Sequence, residues 1–352
     1  MGRRLMLSIG LIGAGGNTIA RHIPGFLSLE DVTIRGVCNR SIESARAVAD
    51  KFDIQHVYHS WQDLLADDAI DAVCIGTWPD THCNITLAAL AAGKHVLCEA
   101  RMAMNAEEAY SMLGAANRNP QLVAQLVPSP FSLGIDDIIR GEVSSGRIGN
   151  LLAIDVHDRN ASFIDSHSGM TWRQDILRSG NNVLYLGIVY EAMMRWIGRA
   201  DRVFANARTF VKQRPDEYGK TMPLKIPDHL DVLADFECGC AANMRFSNVT
   251  GMAPSGQAWI FGSEATLRLD FEEGLVMRGR RGDNDLINIA PPLEQQPKWR
   301  VEESFINAIR RIEPVRLTTF EDGVRYMEFT DAVAQSWRRE QWVDVGRSQR
   351  AL

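Results

Sequence analysis

The chain has 352 residues and a formal net charge of −6, with 45% hydrophobic and 23% charged residues. A chain of this length exceeds the usual size of a single hydrophobic core, so two domains are expected. The charge balance argues against nucleic acid as a partner, because the basic cluster at residues 278–281 is short and typical of a solvated hairpin.

The first part of the chain, up to residue 126, alternates strands with helices. Hydrophobic patterns predict strands at residues 5–12, 32–38, 72–76, 95–98 and 122–126, with helical patterns between them. Such alternation implies a parallel sheet with right-handed crossovers. We predict an α/β Rossmann domain, a doubly wound parallel sheet, at residues 1–126.

A glycine-rich turn at residues 13–16 joins the first strand to the first helix. A dinucleotide-binding turn needs a glycine for the bend, a second for close approach of the diphosphate, and a small residue where the helix packs on the strand. The glycines available for the first two roles are Gly13, Gly15 and Gly16. Either Thr18 or, with one extra residue in the turn, Ala20 fills the third. A glycine-rich turn can be only a turn, but the strand before it and the helix and strand after it favour a dinucleotide site.

The end of the second strand bears on which dinucleotide binds. An acidic residue there would take the ribose hydroxyls of NAD, but the chain has Asn39, Arg40 and Ser41. Arg40 can pair with a 2′-phosphate, and its neighbours add hydrogen bonds without a repelling carboxylate. The prediction is NADP, with NAD still possible. Asn39 and Ser41 can equally serve to cap the next helix.

After residue 149 the pattern changes to extended segments separated by turns. Strands are predicted at residues 151–159, 202–212, 231–238, 241–248, 258–262, 266–271 and 274–278, and helices at 183–196, 301–312 and 320–338. We predict an α+β C-terminal domain with an open, mostly antiparallel sheet at residues 127–352. Its last helix is expected to pack back on the first domain.

Targeting and redox signals favour the cytoplasm. No run of 18 apolar residues is present, and the N-terminus leads into a strand rather than a signal peptide. The six cysteines lack the spacing of a metal site and are interpreted as free thiols in a reducing compartment. A cytoplasmic protein with no membrane partner and no metal is expected.

Several motifs in order along the chain resemble those of the glucose-fructose oxidoreductase and inositol dehydrogenase family (Gfo/Idh/MocA). They are residues 12–24, 93–99 (Gly-Lys-His-Val-Leu-Cys-Glu), Gly187 with Ile188, 196–198 (Trp-Ile-Gly), 260–269 and 320–323 (Phe-Glu-Asp-Gly). The resemblance covers nearly the whole chain. It implies a nicotinamide-binding N-terminal domain and an open C-terminal sheet that supports a homodimer or homotetramer.

The chain departs from that family at its catalytic positions. The resemblance implies lysine and proline after Glu99, but Ala100 and Arg101 stand there. It also implies an aspartate, a histidine base and a further polar residue on one helix. Those positions are Tyr185, Val189 and Ala192, which we predict on one helical face. The family's lysine and histidine are therefore both absent.

Oxidation of an alcohol needs a base, which typically contributes roughly 10²–10⁴-fold to the rate. Tyr185 is the candidate replacement, and Arg101 and Arg173 are candidate cations to activate its hydroxyl. Tyr185 can instead be a wall of the substrate pocket. Asn182 can bind a sugar hydroxyl or cap the helix. Glu191, two residues after Val189 on the helix, is expected to face away from the site.

Further contacts are predicted on the cofactor and substrate sides. By the resemblance His82 lies beside the nicotinamide ribose, although a histidine near a helix start can simply cap it. The polar segment 164–173 is placed to cover the pocket. The predicted cofactor contacts are Gly13, Gly15, Gly16, Asn17, Thr18, Ile19, Asn39, Arg40, Ser41, Thr77, Trp78, Pro79, His82, Glu99, Ala100 and Arg101. The predicted substrate contacts are His167, Arg173, Asn182 and Tyr185.

Three functions fit these residues. The first is an NAD(P)-dependent oxidoreductase acting on a sugar, polyol or related carbonyl compound with a non-standard acid/base. The second is a nucleotide-binding sensor or regulator without redox turnover, for which the family offers a precedent. The third is glycoside cleavage or elimination without net redox change, using tightly held cofactor. In each case the partner is a small molecule, expected to be a carbohydrate in the first and third.

Overall fold

The computed structural model describes residues 6–160, 163–165, 167–254 and 256–346. The chain divides into two compact units. The first consists of Met1–Pro128 with Arg300–Val324, and the second of Ser129–Trp299 with Arg325–Leu352. Leu5, the first residue of a predicted strand, lies outside the described residues.

The first unit is built on a parallel sheet of six strands in the order β3-β2-β1-β4-β5-β6. The strands are β1 Leu7–Ile12, β2 Val32–Cys38, β3 His56–Val57, β4 Ala72–Ile75, β5 His95–Cys98 and β6 Ala124–Leu126. Their apolar side chains are buried because helices cover both faces of such a sheet. Strand order reverses between β1 and β4, and ligands of this architecture bind outside the carboxyl ends of the strands at that point.

The helix after β1 begins with a π-helical turn, Thr18–His22, and continues as α1, Ile23–Leu27. The other helices of the unit are α2 Ile42–Phe52, α3 Trp61–Leu65, α4 Pro79–Ala91, α5 Ala106–Arg118 and, much later in the chain, α9 Val301–Ile309. Ser41, Ser60 and Asn105 begin α2, α3 and α5, and each side-chain oxygen accepts a hydrogen bond from a backbone N–H of the first turn.

The second unit is built on a nine-stranded sheet in the order β16-β15-β14-β13-β7-β12-β11-β8-β17. The strands are β7 Leu151–Arg159, β8 Ala200–Arg208, β11 His229–Phe236, β12 Ala241–Ser247, β13 Gln257–Gly262, β14 Ala265–Asp270, β15 Leu275–Arg280, β16 Ile287–Asn288 and β17 Val343–Asp344. Strands β7 and β12 pair in parallel, and the other pairs of this sheet are antiparallel. A small hairpin, β9 Gln213–Pro215 with β10 Thr221–Pro223, lies apart from it.

Helices cover one face of this sheet. The helices of the unit are α6 Asp136–Ser144, α7 Ile176–Ser179, α8 Leu186–Ile197 and the long α10 Phe320–Arg339, whose first residues belong to the first unit. The ring of Tyr190 on α8 stacks on Phe329 of α10 at 3.6 Å and lies 6.2 Å from Phe236 of β11. The core of the unit therefore lies between these helices and the inward-facing side chains of the strands.

The predicted fold class is confirmed: a parallel α/β sheet and a mixed, mostly antiparallel sheet. Three predicted strands, β2, β5 and β7, have the observed bounds. One helix differs in a way that affects the site. A helix was predicted from residue 183, but α8 begins at Leu186 with Tyr185 before it, because Leu184 has a left-handed φ of 49° that a helix cannot contain.

No helix within the described residues combines the length and apolar character needed to cross a membrane. The same residues contain no group of three histidine, cysteine, aspartate or glutamate side chains arranged to hold a metal ion.

Candidate functional site

The glycine turn after β1 has the geometry that close approach of a ligand requires. Gly13 has φ 86°, and its N–H donates to the carbonyl of Cys38 at 2.8 Å. A Cβ at Gly13 would lie 2.6 Å from Thr77, whereas a Cβ at Gly15 or Gly16 would meet nothing within 4 Å. Gly13 is thus required for the bend, and the two exposed glycines leave open space over the start of the helix.

Thr18 fills the packing position of the turn. Its hydroxyl donates to the carbonyl of Gly13 at 3.1 Å, and it lies 2.2 Å from where a Cβ of Gly76 would be. The helix is thereby held against the end of β4. Of the two alternatives that the sequence leaves open, Thr18 is the residue that makes this contact. The extra residue appears as the π-helical turn, where Ile23 N–H bonds to the carbonyl of Thr18.

The end of β2 presents one exposed cation. Asn39 accepts a hydrogen bond from the N–H of Ala14 at 2.7 Å and so fixes the glycine turn. Ser41 caps α2, as the alternative interpretation expected. The guanidinium of Arg40 lies 5.4 Å from the ring centre of Trp78, at the start of α4. This pair offers a flat aromatic surface and a positive charge on the same edge of the sheet.

His82 lies inside the first unit rather than on its surface. Its ring nitrogens are 2.9 Å from the carbonyl oxygen of Arg101 and 3.1 Å from that of Thr77. Burial lowers the pKa of this imidazole. The ring links the loops after β4 and β5, so it holds Thr77 and the buried Pro79 in place on the cofactor edge.

A buried histidine between two carboxylates was not foreseen from the sequence. His22, in the π-helical turn, lies with Nε2 2.9 Å from Glu99 Oε1 and Nδ1 2.5 Å from Glu302 Oε1. Asn17 donates its side-chain amide to the same oxygen of Glu99, and the N–H of Ala100 donates to Glu99 Oε2 at 3.1 Å. We name the His22, Glu99 and Glu302 cluster the carboxylate–histidine bridge.

The bridge holds a protonated histidine. Burial by itself lowers the pKa of His22, but hydrogen bonds and charges from Glu302 and Glu99 outweigh it and raise the pKa from 6.5 to about 9. Burial raises the pKa of Glu99, and the hydrogen bond and charge of His22 outweigh it and lower that pKa. At neutral pH, Glu99 is thus an oriented carboxylate at the carboxyl end of β5, beside Ala100 and the buried Arg101.

In the second unit Tyr185 stands immediately before α8 with 40% of its surface exposed, whereas Val189 and Ala192 are buried. Tyr185 is the capping residue of α8, and its carbonyl accepts the N–H of Val189 at 2.9 Å. Its ring meets Phe131 edge to face at 5.6 Å, and Phe131 lies 5.8 Å from Phe271. We name Tyr185, Phe131 and Phe271 the aromatic rim.

The polar residues around the start of α8 have structural partners. Asn182 is buried and donates its side-chain amide to the carbonyl of Ser179 at 2.7 Å. Glu191 is buried, accepts from the N–H of Ser129 at 2.6 Å and pairs with Arg195. Arg195 also pairs with Asp136 of α6 at 2.8 Å. Glu191 therefore ties α8 to α6 and to the segment before it.

The loop before α8 carries two further predicted substrate residues. His167 is exposed, and its N–H donates to Asp165 Oδ1 at 2.8 Å. Arg173 is exposed, with its guanidinium 4.4 Å from the ring centre of Trp172. Within the second unit, the described residues give the Tyr185 hydroxyl no hydrogen bond.

The residues of the first unit fit a nicotinamide dinucleotide. The open space over Gly15 and Gly16 admits a diphosphate to the backbone at a helix start, where positive dipole ends favour anions. Arg40 and Trp78 are suited to the adenosine end. Thr77, Pro79 and Glu99 lie at the ends of β4 and β5, where the ligand edge of this sheet continues.

Comparison with known proteins gives a consistent picture. Residues 7–125 match an oxidoreductase family with an NAD-binding Rossmann fold, and residues 139–268 match the GFO/IDH/MocA C-terminal domain. The chain is 32% identical over 149 residues to an uncharacterised oxidoreductase, ORF334, of Rhizobium meliloti, and 32% identical over 184 residues to 1,5-anhydro-D-fructose reductase of Ensifer adhaerens.

These alignments cover 42% and 52% of this chain and 44% and 54% of the two relatives, about half of their length. A solved structure of levoglucosan dehydrogenase in complex with NADH and L-sorbose matches with a TM-score of 0.87 at 21% identity. That match covers 97% of this chain and 99% of the other. At this identity it shows a shared fold.

Proposed function

The chain belongs to the Gfo/Idh/MocA family of oxidoreductases with an NAD-binding Rossmann fold, and we propose that it is an NAD(P)-dependent oxidoreductase acting on a sugar, polyol or related carbonyl compound. The observation that carries the proposal is the open glycine turn, where Gly15 and Gly16 leave space over the start of a helix. The relatives named above, a reductase of an anhydrosugar and a levoglucosan dehydrogenase, support the substrate class.

The proposed nucleotide is NADP in preference to NAD. Arg40 is exposed beside the Trp78 ring, and neither Asn39 nor Ser41 carries a negative charge. A guanidinium forms paired hydrogen bonds with a phosphate, whereas the ribose hydroxyls of NAD are held by an acidic residue at this strand end. NADH in the levoglucosan dehydrogenase complex keeps NAD as the alternative.

Different residues of the chain have different roles in such a site. The nucleotide, when bound, supplies the oxidising or reducing equivalents. The glycine turn holds its diphosphate, and His82 fixes the loops of Thr77 and Arg101 that border it. Glu99, oriented by the carboxylate–histidine bridge, presents its second oxygen to the N–H of Ala100. Neither Ala100 nor Val189 can move a proton, so we propose that Tyr185, at the position where the family resemblance implies an aspartate, is the acid/base.

Other features bear on the proposed oligomeric state and cellular location of the protein. We propose a homodimer or homotetramer, because the outer face of the nine-stranded sheet carries Trp259 and Phe261 stacked at 6.0 Å, and Leu233 on the same face is 46% exposed. The six cysteines are free thiols. Free buried thiols are typical of a reducing compartment, which supports a cytoplasmic location.

A regulator that binds nucleotide without turnover is the second candidate. The observation that favours it is the loss of both family catalytic side chains, at Ala100 and Val189. Chemistry without net redox change, such as glycoside cleavage through a transient keto sugar, would instead need a nucleotide that stays bound between turnovers.

One experiment separates these functions. The protein is purified without added nucleotide and denatured, and the released nucleotide is identified. It is then titrated with NADPH and NADH and incubated with levoglucosan, L-sorbose, 1,5-anhydro-D-fructose and a panel of polyols. We expect an empty site, tighter binding of NADPH, and oxidation or reduction of a member of the panel. Nucleotide binding without turnover would favour the regulator, and retained nucleotide would favour chemistry without net redox change.

A further inference from the structure

The hairpin that joins β11 to β12 carries two cysteines side by side. Its turn has the sequence Glu237-Cys238-Gly239-Cys240, and the sulfur atoms of Cys238 and Cys240 lie 3.3 Å apart, within reach of a hydrogen bond from one thiol to the other. Both residues belong to the second unit. We name Cys238 and Cys240 the hairpin dithiol.

Hydrogen bonds fix the backbone of the turn and so keep the two sulfur atoms close. The N–H of Phe236 donates to the carbonyl of Cys240 at 3.0 Å, and the N–H of Gly239 donates to the carbonyl of Phe236 at 2.8 Å. Glu237 donates its N–H to the carbonyl of Arg199 at 2.9 Å, and its carboxylate accepts from the Arg199 guanidinium at 2.8 Å. The glycine supplies the φ of 88° that the turn requires. The closeness of the sulfur atoms therefore follows from a closed, anchored turn.

The two thiols differ in their access to solvent. All six cysteines of the chain lie within the described residues, and among them Cys238 alone is exposed, whereas Cys240 is 1% exposed. A Cβ at Gly239, between the two, would meet nothing within 4 Å. A small molecule can thus reach the sulfur of Cys238, which has the buried Cys240 thiol beside it.

The other four cysteines have packing roles. Cys38, Cys83 and Cys98 are buried, and each thiol donates to a backbone carbonyl. Cys74 is fully buried within β4. A buried thiol behaves as a small apolar side chain, whereas an exposed one contributes little packing, and its reactivity becomes its distinguishing property. The hairpin dithiol is therefore the place in the chain where thiol chemistry is accessible.

Only a small movement separates the hairpin dithiol from a disulfide. An S–S bond is about 2.05 Å long, so the sulfur atoms must approach by about 1.3 Å from their separation of 3.3 Å. Rotation of the exposed Cys238 side chain can bring them together. The bond would close a loop with one intervening residue, Gly239, which constrains the unfolded chain little, and exposed disulfides of this kind are readily reduced again.

We propose that the hairpin dithiol is a reversible redox site whose oxidant is a low-molecular-weight disulfide, such as glutathione disulfide. The Cys238 thiolate attacks one sulfur of the oxidant, whose S–S bond breaks and releases one small thiolate. Cys240 then loses its proton, and its sulfur attacks Cys238 Sγ and releases the second. The protein gives up two protons and two electrons, and the oxidant becomes two thiols. An excess of the small thiol reverses both steps.

This inference does not depend on the proposed function, because neither nucleotide nor substrate takes part. In a reducing compartment the pair stays open, and it closes when the ratio of small disulfide to small thiol rises. The site would thus report the redox state of its surroundings through the β11–β12 hairpin.

The test follows the two cysteines by mass. Reduced native protein is incubated with glutathione disulfide, alkylated rapidly in denaturant and digested with trypsin, which leaves both cysteines in one peptide, residues 226–245. In the wild type we expect this peptide to lose two hydrogen atoms and to carry no alkyl group. Cys240→Ser should instead keep one glutathionyl group on Cys238, and Cys238→Ser should stay unmodified. Cys83→Ala, the matched control at a buried cysteine, should behave as the wild type does.

The lifetime of the mixed disulfide tests whether Cys240 is positioned to react. It should be shorter by at least about 10²-fold in the wild type than in Cys240→Ser, because an oriented intramolecular attack replaces an intermolecular one. Circular dichroism and the urea midpoint show whether each variant is folded, and Cys240→Ala takes the place of Cys240→Ser if serine destabilises this buried position.

A second probe needs no oxidant. Phenylarsine oxide binds pairs of thiols through its arsenic atom, and its affinity should be at least about 10²-fold lower for either serine variant than for the reduced wild type. Equal affinities would overturn the proposal. So would a wild type that keeps its glutathionyl group, or one whose 226–245 peptide remains fully reduced at every ratio of glutathione disulfide to glutathione.

Discussion

Because of the carboxylate–histidine bridge, we expect the contribution of His22 to the free energy of unfolding to fall as the pH rises. Glu302→Gln keeps the size of the side chain but removes one of the two negative charges that hold His22 protonated. In the wild type the pKa of His22 is raised from 6.5 to about 9. Because the folded-state pKa is raised, the stabilisation is fully present below about pH 6.5 and is lost as the pH rises through about 9.

The size of the effect follows from the same values. Each pH unit between the two pKa values is worth about 1.4 kcal/mol, so the interval from 6.5 to about 9 corresponds to about 3 kcal/mol. His22 and Glu302 are both buried, so solvent screens this interaction little. Removing one partner of a buried charged pair also leaves the other uncompensated. We expect Glu302→Gln to lower the free energy of unfolding by about 2–3 kcal/mol at pH 6.5.

The assay is urea denaturation at pH 6.5, 8 and 9.5, with hydrogen exchange of the Thr18–His22 turn as a local measurement. The control is Glu303→Gln, since Glu303 is the exposed neighbour that pairs with Arg300 at 3.2 Å, where a loss of only about 0–1 kcal/mol is expected. The difference between the wild type and Glu302→Gln should narrow as the pH rises. The reasoning is refuted if that difference is independent of pH or no larger than for the control.

Three further predictions concern nucleotide choice, the altered catalytic positions and assembly. Arg40→Ala should weaken NADPH binding by roughly tenfold or more, since a charged paired contact is worth about 1.5–3 kcal/mol, and leave NADH binding unchanged in a fluorescence titration; equal losses would contradict it. Ala100→Lys should bring no gain in single-turnover rate and should lower thermal stability, because it adds a partly buried charge; a faster enzyme would show that the pocket still accepts the family's lysine. Trp259→Glu should dissociate the oligomer, and light scattering that finds only a 39.3 kDa particle for the wild type would disprove the assembly.

Much of the fold could be predicted because the pattern of apolar residues along the strands matches the pattern of buried side chains. Strands such as β2 and β5 end in runs of fully buried side chains, and β7 alternates buried and half-buried positions. Helix α6 was missed for the opposite reason. Its buried face includes Asp136 and Glu142, whose charges are compensated by Arg195 and Arg278. A face that is buried partly through ion pairs is polar at those positions in the sequence, which weakens the apolar pattern of Ile139 and Val143.

The candidate site could be predicted only where residues that are close in the sequence form it. The glycine turn, Arg40 and Ser41 lie within one strand–helix–strand unit, so their roles follow from local spacing. His22 is paired with Glu302, 280 residues further along the chain, and no local pattern joins them. The position of Tyr185 before α8 depends on the left-handed backbone of Leu184, a conformation that sequence does not reveal for a leucine.

The bridge also explains how Glu99 remains charged. A buried carboxylate needs a counter-charge, and Ala100 supplies none. His22, in the π-helical turn, supplies it. Glu302 on the far side keeps His22 protonated, so the three groups carry a net charge of −1 with Glu99 fixed in place. Glu99 therefore has a counter-charge in His22 although Ala100 carries none.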